Sequence, residues 1–524
     1  MVKSCLILCF FALLVIQARS DLADDQEHAQ HPRLQSSRDF EALDEELDTR
    51  FWHDKAQSIL ADKLAGHKKL NENRAKNVIL FLGDGMSVHT IAATRAFMGD
   101  SNKQVFFEKF PYLGLSKTYA VNERTPDSAN TATAYLTGVK ANYGTIGVNA
   151  QVQRGDCVTN SSSHVQSIGQ WAQEAGKWAG LVTTARVTHA SPAGVYAHVS
   201  ERNWEHDGEI ISSKCSPDVN TDIARQLVEW PVGQELRVIM GGGRSYFRDQ
   251  SQHDETGVSG LRTDGRDLIS DWREIKKQQG AEGKYVWSLK GLKETDISKT
   301  DYLLGLFDTS HLPYHGDRRR THYEDAEPSL SDMTEAAIKM LSKNEEGYFL
   351  FVESGRIDMA HHATKAMKAL EDTEEFAAAV ELARKMTDEE DTLIVVTSDH
   401  SHTMSINGYP YRRQNILSLA PNLADDELPF TILSYANGPG FDDTYSTKDG
   451  RIDLSHADTT SAEFEFQATV PLSSETHGAE DVGVFASGPF EHLFTGNYEQ
   501  SAIPAMMAYA ANIGPFAKDK INEQ

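Results

Sequence analysis

The chain has 524 residues, a hydrophobic fraction of 40% and a formal net charge of −26. That length buries a large core, and one α/β domain with insertions fits it better than a string of small modules. The acid excess excludes nucleic acid as the main partner, because phosphate backbones select basic surfaces.

Lys3, an apolar stretch over residues 5–16 and the small residues of Ala18-Arg19-Ser20 form a secretory leader over 1–20, with the mature chain starting near Asp21. A membrane anchor is the weaker alternative, since the apolar core is short for a bilayer span. Residues 21–48 are acidic and poor in apolar side chains, and are expected to be a flexible lead into the fold. Residues 51–70 have helical spacing. From Asn77 onward, apolar strand-like runs alternate with helical stretches, which predicts an α/β fold with a large, mainly parallel central sheet and helices on both faces. The runs are 77–82, 113–121, 180–184, 236–240, 348–352 and 392–397. Residues 253–322 are irregular and highly charged, and 408–473 are rich in turns, so both read as insertions on a domain spanning 49–514. Residues 515–524 form a polar tail, and no hydrophobic lipid-anchor signal is seen there. Cys5 and Cys9 leave with the leader. Cys157 and Cys215 remain, and an oxidising compartment favours one disulfide between them, with two buried thiols as the alternative. Asn160-Ser161-Ser162 is a glycosylation acceptor pattern in a polar stretch. The product is expected to be soluble and secreted.

Three apolar runs stop at acids: 77–82 at Asp84, 348–352 at Glu353, and 392–397 at Asp399 and His400. In an open parallel sheet the crevice beyond the strand ends binds ligands, so these residues are expected to converge on a metal. Asp358 and His362 are four apart and share a helix face, the spacing of a metal pair or of a solvated acid–base pair. Asp399 and His400 offer oxygen and nitrogen donors, with His402 in a supporting position. His477 alone ranks low and gains weight only beside these groups. Pro126 and Asp127 mark a turn and cap before a helix that starts at Ser128, where free N–H groups suit phosphate. An ordinary capped helix is the plain alternative. A serine hydroxyl needs a base or a metal to become a nucleophile. No Gly-x-Ser-x-Gly turn supplies a base, which points to metal activation.

Seven motifs in order resemble the alkaline phosphatases, especially the animal secreted and cell-surface type. They are Gly83-Asp84-Gly85-Met86, Pro126-Asp127-Ser128-Ala129, Thr188-His189-Ala190-Ser191-Pro192, Arg202-Asn203-Trp204, Gly355-Arg356-Ile357-Asp358, Ser398-Asp399-His400-Ser401-His402 and Glu475-Thr476-His477. The resemblance runs from about residue 51 to about residue 512. It implies hydrolysis of phosphate monoesters at alkaline pH through a phosphoserine on Ser128, with Arg202 clamping two phosphate oxygens. It implies two zinc ions, one on Asp358, His362 and His477 and one on Asp84, Asp399 and His400. Magnesium is implied on Asp84, Ser191 and Glu353, with His189 close by and His402 also outside the ligand set. A calcium site is implied at the Phe307 carbonyl, Asp308 and Glu327, with a further ligand near Asp254 or Glu255; calcium tolerates such carboxylate swaps.

Cys157 and Cys215 match the family's first disulfide, while its second pair is missing. Met359 stands where many animal relatives have histidine, and Ala360 where they have glycine, so phosphate affinity or pH optimum is open to change. By the same resemblance, 408–473 is the crown insertion at a homodimer interface, and 51–70 an arm across the partner. Two other readings are a related phosphodiesterase or sulfatase, which should lack the Asp127-Ser128-Ala129 pattern with Arg202 downstream, and a catalytically silent secreted protein that binds metal or phosphate.

Overall fold

Three neighbouring strands carry the acids named above. In the computed structural model, β1 (Asn77–Gly83) lies between β7 (Tyr348–Ser354) and β8 (Thr392–Thr397), parallel to both. The register sets Leu82 abreast of Glu353 on one side and Thr397 on the other. All three strands therefore end at one level, and Asp84, Glu353 and Asp399 emerge together. The structure describes residues 44–47, 49–66, 70–158, 160–321 and 326–521. The expected leader, and the acidic segment apart from residues 44–47, lie outside the described residues.

The remaining strands of the sheet are β2 (Tyr112–Lys117), β3 (Trp178–Arg186), β4 (Leu236–Gly242), β5 (Gly283–Val286), β6 (Tyr302–Leu306), Val482–Ser487 and Gly496–Glu499. Across the ten-stranded sheet the order is Gly496–Glu499, β2, Val482–Ser487, β8, β1, β7, β3, β4, β6, β5. Val482–Ser487 runs antiparallel to both of its neighbours, and the other pairings are parallel. The fold is the expected α/β arrangement, with apolar residues alternating between two helix-covered faces. Leu80, Leu82, Phe349 and Phe351 pack with Tyr135, Trp171 and Met507 on one side. Ile79, Phe81, Leu350 and Val352 pack with Met333, Phe376 and Val380 on the other. Each such side chain contributes roughly 1.5–3 kcal/mol relative to exposure, so the strands that carry the acids are held by core packing on both faces.

Three segments differ from the sequence reading. Residues 253–322 do not stand apart, because β6 and β5 extend the central sheet at its edge. The irregular composition comes from the charged exposed faces of the covering helices, such as Leu268–Gln278. The run expected over 113–121 ends as a strand at Lys117, where the partner strands run out: Val482 pairs with Ser116, and Glu499 with Lys117. The helix expected over 51–70 spans Thr49–Gly66, with Trp52, Ile59 and Leu60 exposed. Residues 408–473 hold short ribbons and turns around a cluster of their own, in which Ile416, Leu417, Ile432 and Phe466 meet Ala366 and Leu370 of the helix Ala366–Met386. Towards the end of the chain lies the short helix Lys518–Ile521, and Phe516 is edge-on to Trp171.

Candidate active site

The rim above β1, β7 and β8 holds a buried cluster of acids. Neither carboxylate oxygen of Asp84 has a hydrogen-bond partner among the described residues, nor has Oε1 of Glu353 or the Ser191 hydroxyl. The other oxygen of Glu353 takes the Thr183 hydroxyl. Asp399 Oδ1 accepts the Gly85 and His400 amides, each at 2.9 Å. Burial pushes the Asp84 carboxyl well above its usual range, and Asp399, Asp358 and Glu353 add to the effect. Glu353 is raised to about 7, chiefly by burial, and Asp399 is raised by burial and by Asp358. Acids this close and this dry do not all ionise on their own, and a divalent cation is what makes their charged form stable. The donor set fits one: ligand atoms of Asp84, Asp399 and His400 lie within 4.8 Å of one another.

The turn after β1 depends on Gly85. Its φ of +67° is left-handed, and a Cβ there would lie 2.4 Å from the His402 ring. Only glycine allows the chain to turn while the two clusters sit side by side.

Asp358 and His362 share the helix Arg356–His362, as their spacing predicts, with His362 Nε2 3.4 Å from Asp358 Oδ1. His477 reaches the same point, its Nε2 3.4 Å from Asp358 and 3.1 Å from His362 Nε2. A two-residue ribbon places it there, pairing His477 opposite His402. In both imidazoles the other nitrogen is anchored: His477 Nδ1 donates to the Pro126 carbonyl at 2.8 Å, and His362 Nδ1 donates to the Glu475 carbonyl. The Nε2 lone pairs therefore converge beside Asp358, the arrangement by which outer contacts orient metal-binding histidines. His400 follows the same rule, with Nδ1 on the Ser401 carbonyl and Nε2 3.1 Å from Asp399 and 3.6 Å from Asp84. Burial holds His400 and His362 toward the neutral form that binds metals.

His402 is different. Both of its nitrogens face carboxylates, Glu475 at Nδ1 and Asp358 at Nε2, the latter at 2.8 Å. Burial opposes its charge, but Glu475 and Asp358 outweigh that and hold its pKa up at about 10. Held between these two carboxylates it steadies Asp358, while its ring lies among the candidate donors gathered there. Burial likewise opposes ionisation of Asp358, yet His362, His402 and His477 keep its carboxyl well below the ordinary range.

Ser128 opens the wholly buried helix Ser128–Thr137, and its hydroxyl lies 3.3 Å from His400 Nε2. Asp127 caps that helix on the Asn130 amide, accepts the Gly144 amide at 2.9 Å and holds Arg202 through Nη1 at 2.8 Å. From sequence Asp127 reads only as a turn and cap; its grip on Arg202 is a tertiary contact with no local signal. Glu475 belongs to a quoted motif but carries no sequence-read role, and Gln500, which donates to the Asp399 carbonyl at 2.8 Å, carries no signal at all. His189 stands at the N-cap position of the short helix Ala190–Ala193 that carries Ser191, without a side-chain capping bond, and its Nε2 lies 3.3 Å from Arg202 Nη2. Met359 accepts a contact from Arg356 at 2.9 Å, and Ala360 is buried.

Phe307 and Asp308 follow β6 directly. The Asp308 carbonyl accepts the Gly243 and Arg244 amides, and its carboxylate takes the Ser310 amide at 2.9 Å. Glu327 has a buried oxygen without a partner among the described residues and is pushed up to about 8 by burial and by Asp308. Asp254 and Glu255 are already paired, with Arg244 at 2.7 Å and Arg248 at 2.6 Å. Cys157 and Cys215 are joined in a disulfide. Asn160 is exposed, and its side-chain oxygen caps the Ser162 amide.

A serine at a helix N-terminus, flanked by an arginine and by converging carboxylate and imidazole donors, defines a metal-dependent hydrolase of phosphate esters. Comparison with known proteins agrees. The family model for alkaline phosphatase matches residues 75–513. A membrane-bound alkaline phosphatase of Bombyx mori is 46% identical over 90% of this chain and 86% of its own length. The human tissue-nonspecific alkaline phosphatase is 43% identical over 90% of each chain. Among solved structures, the alkaline phosphatase of Thermus thermophilus superposes with a TM-score of 0.60 at 24% identity, covering 85% of this chain and 93% of that one, and shows the shared fold. The chain belongs to the alkaline phosphatase family. It is an enzyme that hydrolyses phosphate monoesters, and the family depends on metal ions.

Proposed function

We propose that Ser128 is the nucleophile and that turnover passes through a phosphoserine. The observation that carries this is the Ser128 hydroxyl, at a helix N-terminus and 3.3 Å from His400, at the edge of the unpartnered acid cluster. Asp358, His362 and His477 would hold one zinc, Asp84, Asp399 and His400 a second, and Asp84, Ser191 and Glu353 a magnesium. Bound there, such cations supply Lewis acidity, which favours the deprotonated serine and neutralises charge on the phosphoryl oxygens.

The protein's own groups do the rest. Arg202, steered by Asp127 at one end of its fork and His189 at the other, presents its guanidinium to two phosphate oxygens. The Ser128 oxygen attacks phosphorus in line and the alcohol departs; water then attacks from the vacated side and frees phosphate. Two inversions give net retention. Recognition centred on the phosphoryl group supports a broad range of leaving groups.

Phe307, Asp308 and Glu327 are a candidate calcium site, supported by the unpartnered Glu327 oxygen. The leader motif supports secretion, and Asn160 is placed for glycosylation. No helix among the described residues is long and apolar enough to cross a membrane. The exposed apolar residues of Thr49–Gly66 and the crown-like segment 408–473 support a homodimer.

The test is phosphate release from a chromogenic monoester across pH 6 to 11, run beside Ser128→Ala and a chelated sample. Activity peaking at alkaline pH and lost in both controls is expected. Folded, zinc-bound protein without turnover would overturn the reading in favour of a silent binding protein, with Met359 the first residue to examine.

A further inference from the structure

His311 has no place in the donor set above, yet it touches the groups that do. Its ring meets that of His189 edge-to-face, with centroids 5.3 Å apart. Its nitrogens face Arg186: Nδ1 accepts the Arg186 amide at 3.2 Å, and the Arg186 guanidinium lies against Nε2. Arg186 is fixed in turn by Glu205, through Nε at 2.8 Å and Nη2 at 2.5 Å, and Glu205 also accepts the Thr188 hydroxyl at 2.6 Å. A continuous row results: Glu205, Arg186, His311, His189, Arg202, Asp127. Its far end is the phosphate clamp.

The loop that carries His311 is stiff. The Ser310 carbonyl accepts the Gly243 amide at 2.7 Å, and the Leu312 amide donates to the Thr184 carbonyl at 3.0 Å. A Cβ at Gly242 would lie 1.9 Å from the Ser310 carbonyl oxygen, so the loop rests directly on the end of β4. His311 is therefore a fixed wall. His189, by contrast, has only Arg202 on Nε2, while its Nδ1 is buried with no partner among the described residues. A side chain held by one hydrogen bond among the described residues, two residues from Ser191, needs a wall to keep one orientation.

We propose that His311 is a positioning residue: backed by Arg186, it fixes the His189 ring and thereby sets both the Arg202 clamp and the surroundings of the Ser191 hydroxyl. The proposal rests on the reading of Arg202 as the phosphate clamp and of Ser191 as a magnesium donor. The chemical consequence is tighter phosphate binding and better retention of magnesium, with the two zinc sites untouched.

The test compares full-length wild type, His311→Ala, His189→Ala and the double variant. Two quantities are read: inhibition by inorganic phosphate, and magnesium kept per chain after dialysis, with zinc measured on the same samples by mass spectrometry. Outer contacts of metal ligands change affinity by roughly 10–100-fold. His311 acts one contact further out, so His311→Ala should weaken phosphate inhibition and magnesium retention by about 3- to 10-fold while zinc stays constant. In the His189→Ala background the same change should do almost nothing, because coupled residues are non-additive. Equal effects in both backgrounds, or values within about twofold of wild type, overturn the proposal. If His311→Ala does not fold, His311→Gln decides by the same readouts. Wild type that keeps no magnesium sinks the magnesium reading and that half of the proposal, and the phosphate arm then judges the other half.

Discussion

His362 and His477 face each other with their Nε2 atoms 3.1 Å apart, each ring pinned through Nδ1 to a backbone carbonyl. Pinned in that way, both Nε2 atoms are acceptors, and Asp358 adds a third acceptor 3.4 Å from each. Three lone pairs aimed at one point repel unless a cation lies between them. Chelation should therefore cost stability as well as activity. A site saturated at about 1,000 times its dissociation constant contributes roughly 4 kcal/mol. The expected outcome is a clearly lower unfolding midpoint for chelated wild type, and a smaller chelation effect in His477→Ala with about one zinc fewer per chain. A midpoint that ignores the chelator would mean that the pinned rings hold no metal.

Gly85→Ala should separate folding from function. The strand before it is buried and paired on both sides, so the sheet survives. The new Cβ would meet the His402 ring at 2.4 Å in a left-handed backbone that alanine adopts at a cost of about 1 kcal/mol or more. Since His402 steadies Asp358, displacement of its ring should loosen the nearer metal site. Zinc titration of the purified variant is the check: weaker binding by tenfold or more is expected, with a far-ultraviolet spectrum like that of the parent. Tight zinc binding would show that the turn has room to spare.

The strands and their acids were legible because β1, β7 and β8 are buried on both faces, which leaves long apolar runs that end where the chain meets the polar rim. The pair Asp358 and His362 was legible because a helix repeats its face every four residues. What stayed hidden depends on contacts between distant segments. Asp127 looks like any helix cap until Arg202, 75 residues on, arrives at its second oxygen. His402 reads as a supporting histidine whose partner is unknown, and Glu475 as a loop acid, until the ribbon at His477 brings the two together. β5 and β6 were obscured for another reason: they are short, and their neighbouring helices are charged on the outer face, so composition spoke for the surface rather than for the strands.

Asp372 gives a pH dependence away from the metal donors. It is buried on the helix Ala366–Met386, accepts the His315 amide at 3.1 Å, and is raised by burial to about 7 despite the nearby Arg356. An acid whose pKa is higher in the folded state binds more protons there than when unfolded, so stability falls as pH rises between the two values. The unfolded value is about 4, and the loss should therefore build from pH 4 to 7 and then level off. Asp372→Asn keeps an acceptor for the His315 amide but cannot ionise. Denaturation of both proteins at several pH values should show the variant gaining on the parent up to about pH 7 and keeping a constant lead above it. Parallel curves across that window would mean that Arg356 fully compensates the charge.

The disulfide should matter for stability and little for turnover. Cys157 and Cys215 are 58 residues apart, and the loop they close includes Arg202 and the helix Ala190–Ala193. Chain entropy assigns a bond of that span about 4 kcal/mol, mainly by restricting the unfolded chain. Inside the closed loop, β3 is clamped between β7 and β4, and Arg202 is held by Asp127, so the folded site does not depend on the sulfur bridge. Replacing both cysteines with serine should lower the urea midpoint while kcat stays within about twofold. A large fall in kcat with an unchanged midpoint would reverse this assignment and make the bridge a tether for the phosphate clamp.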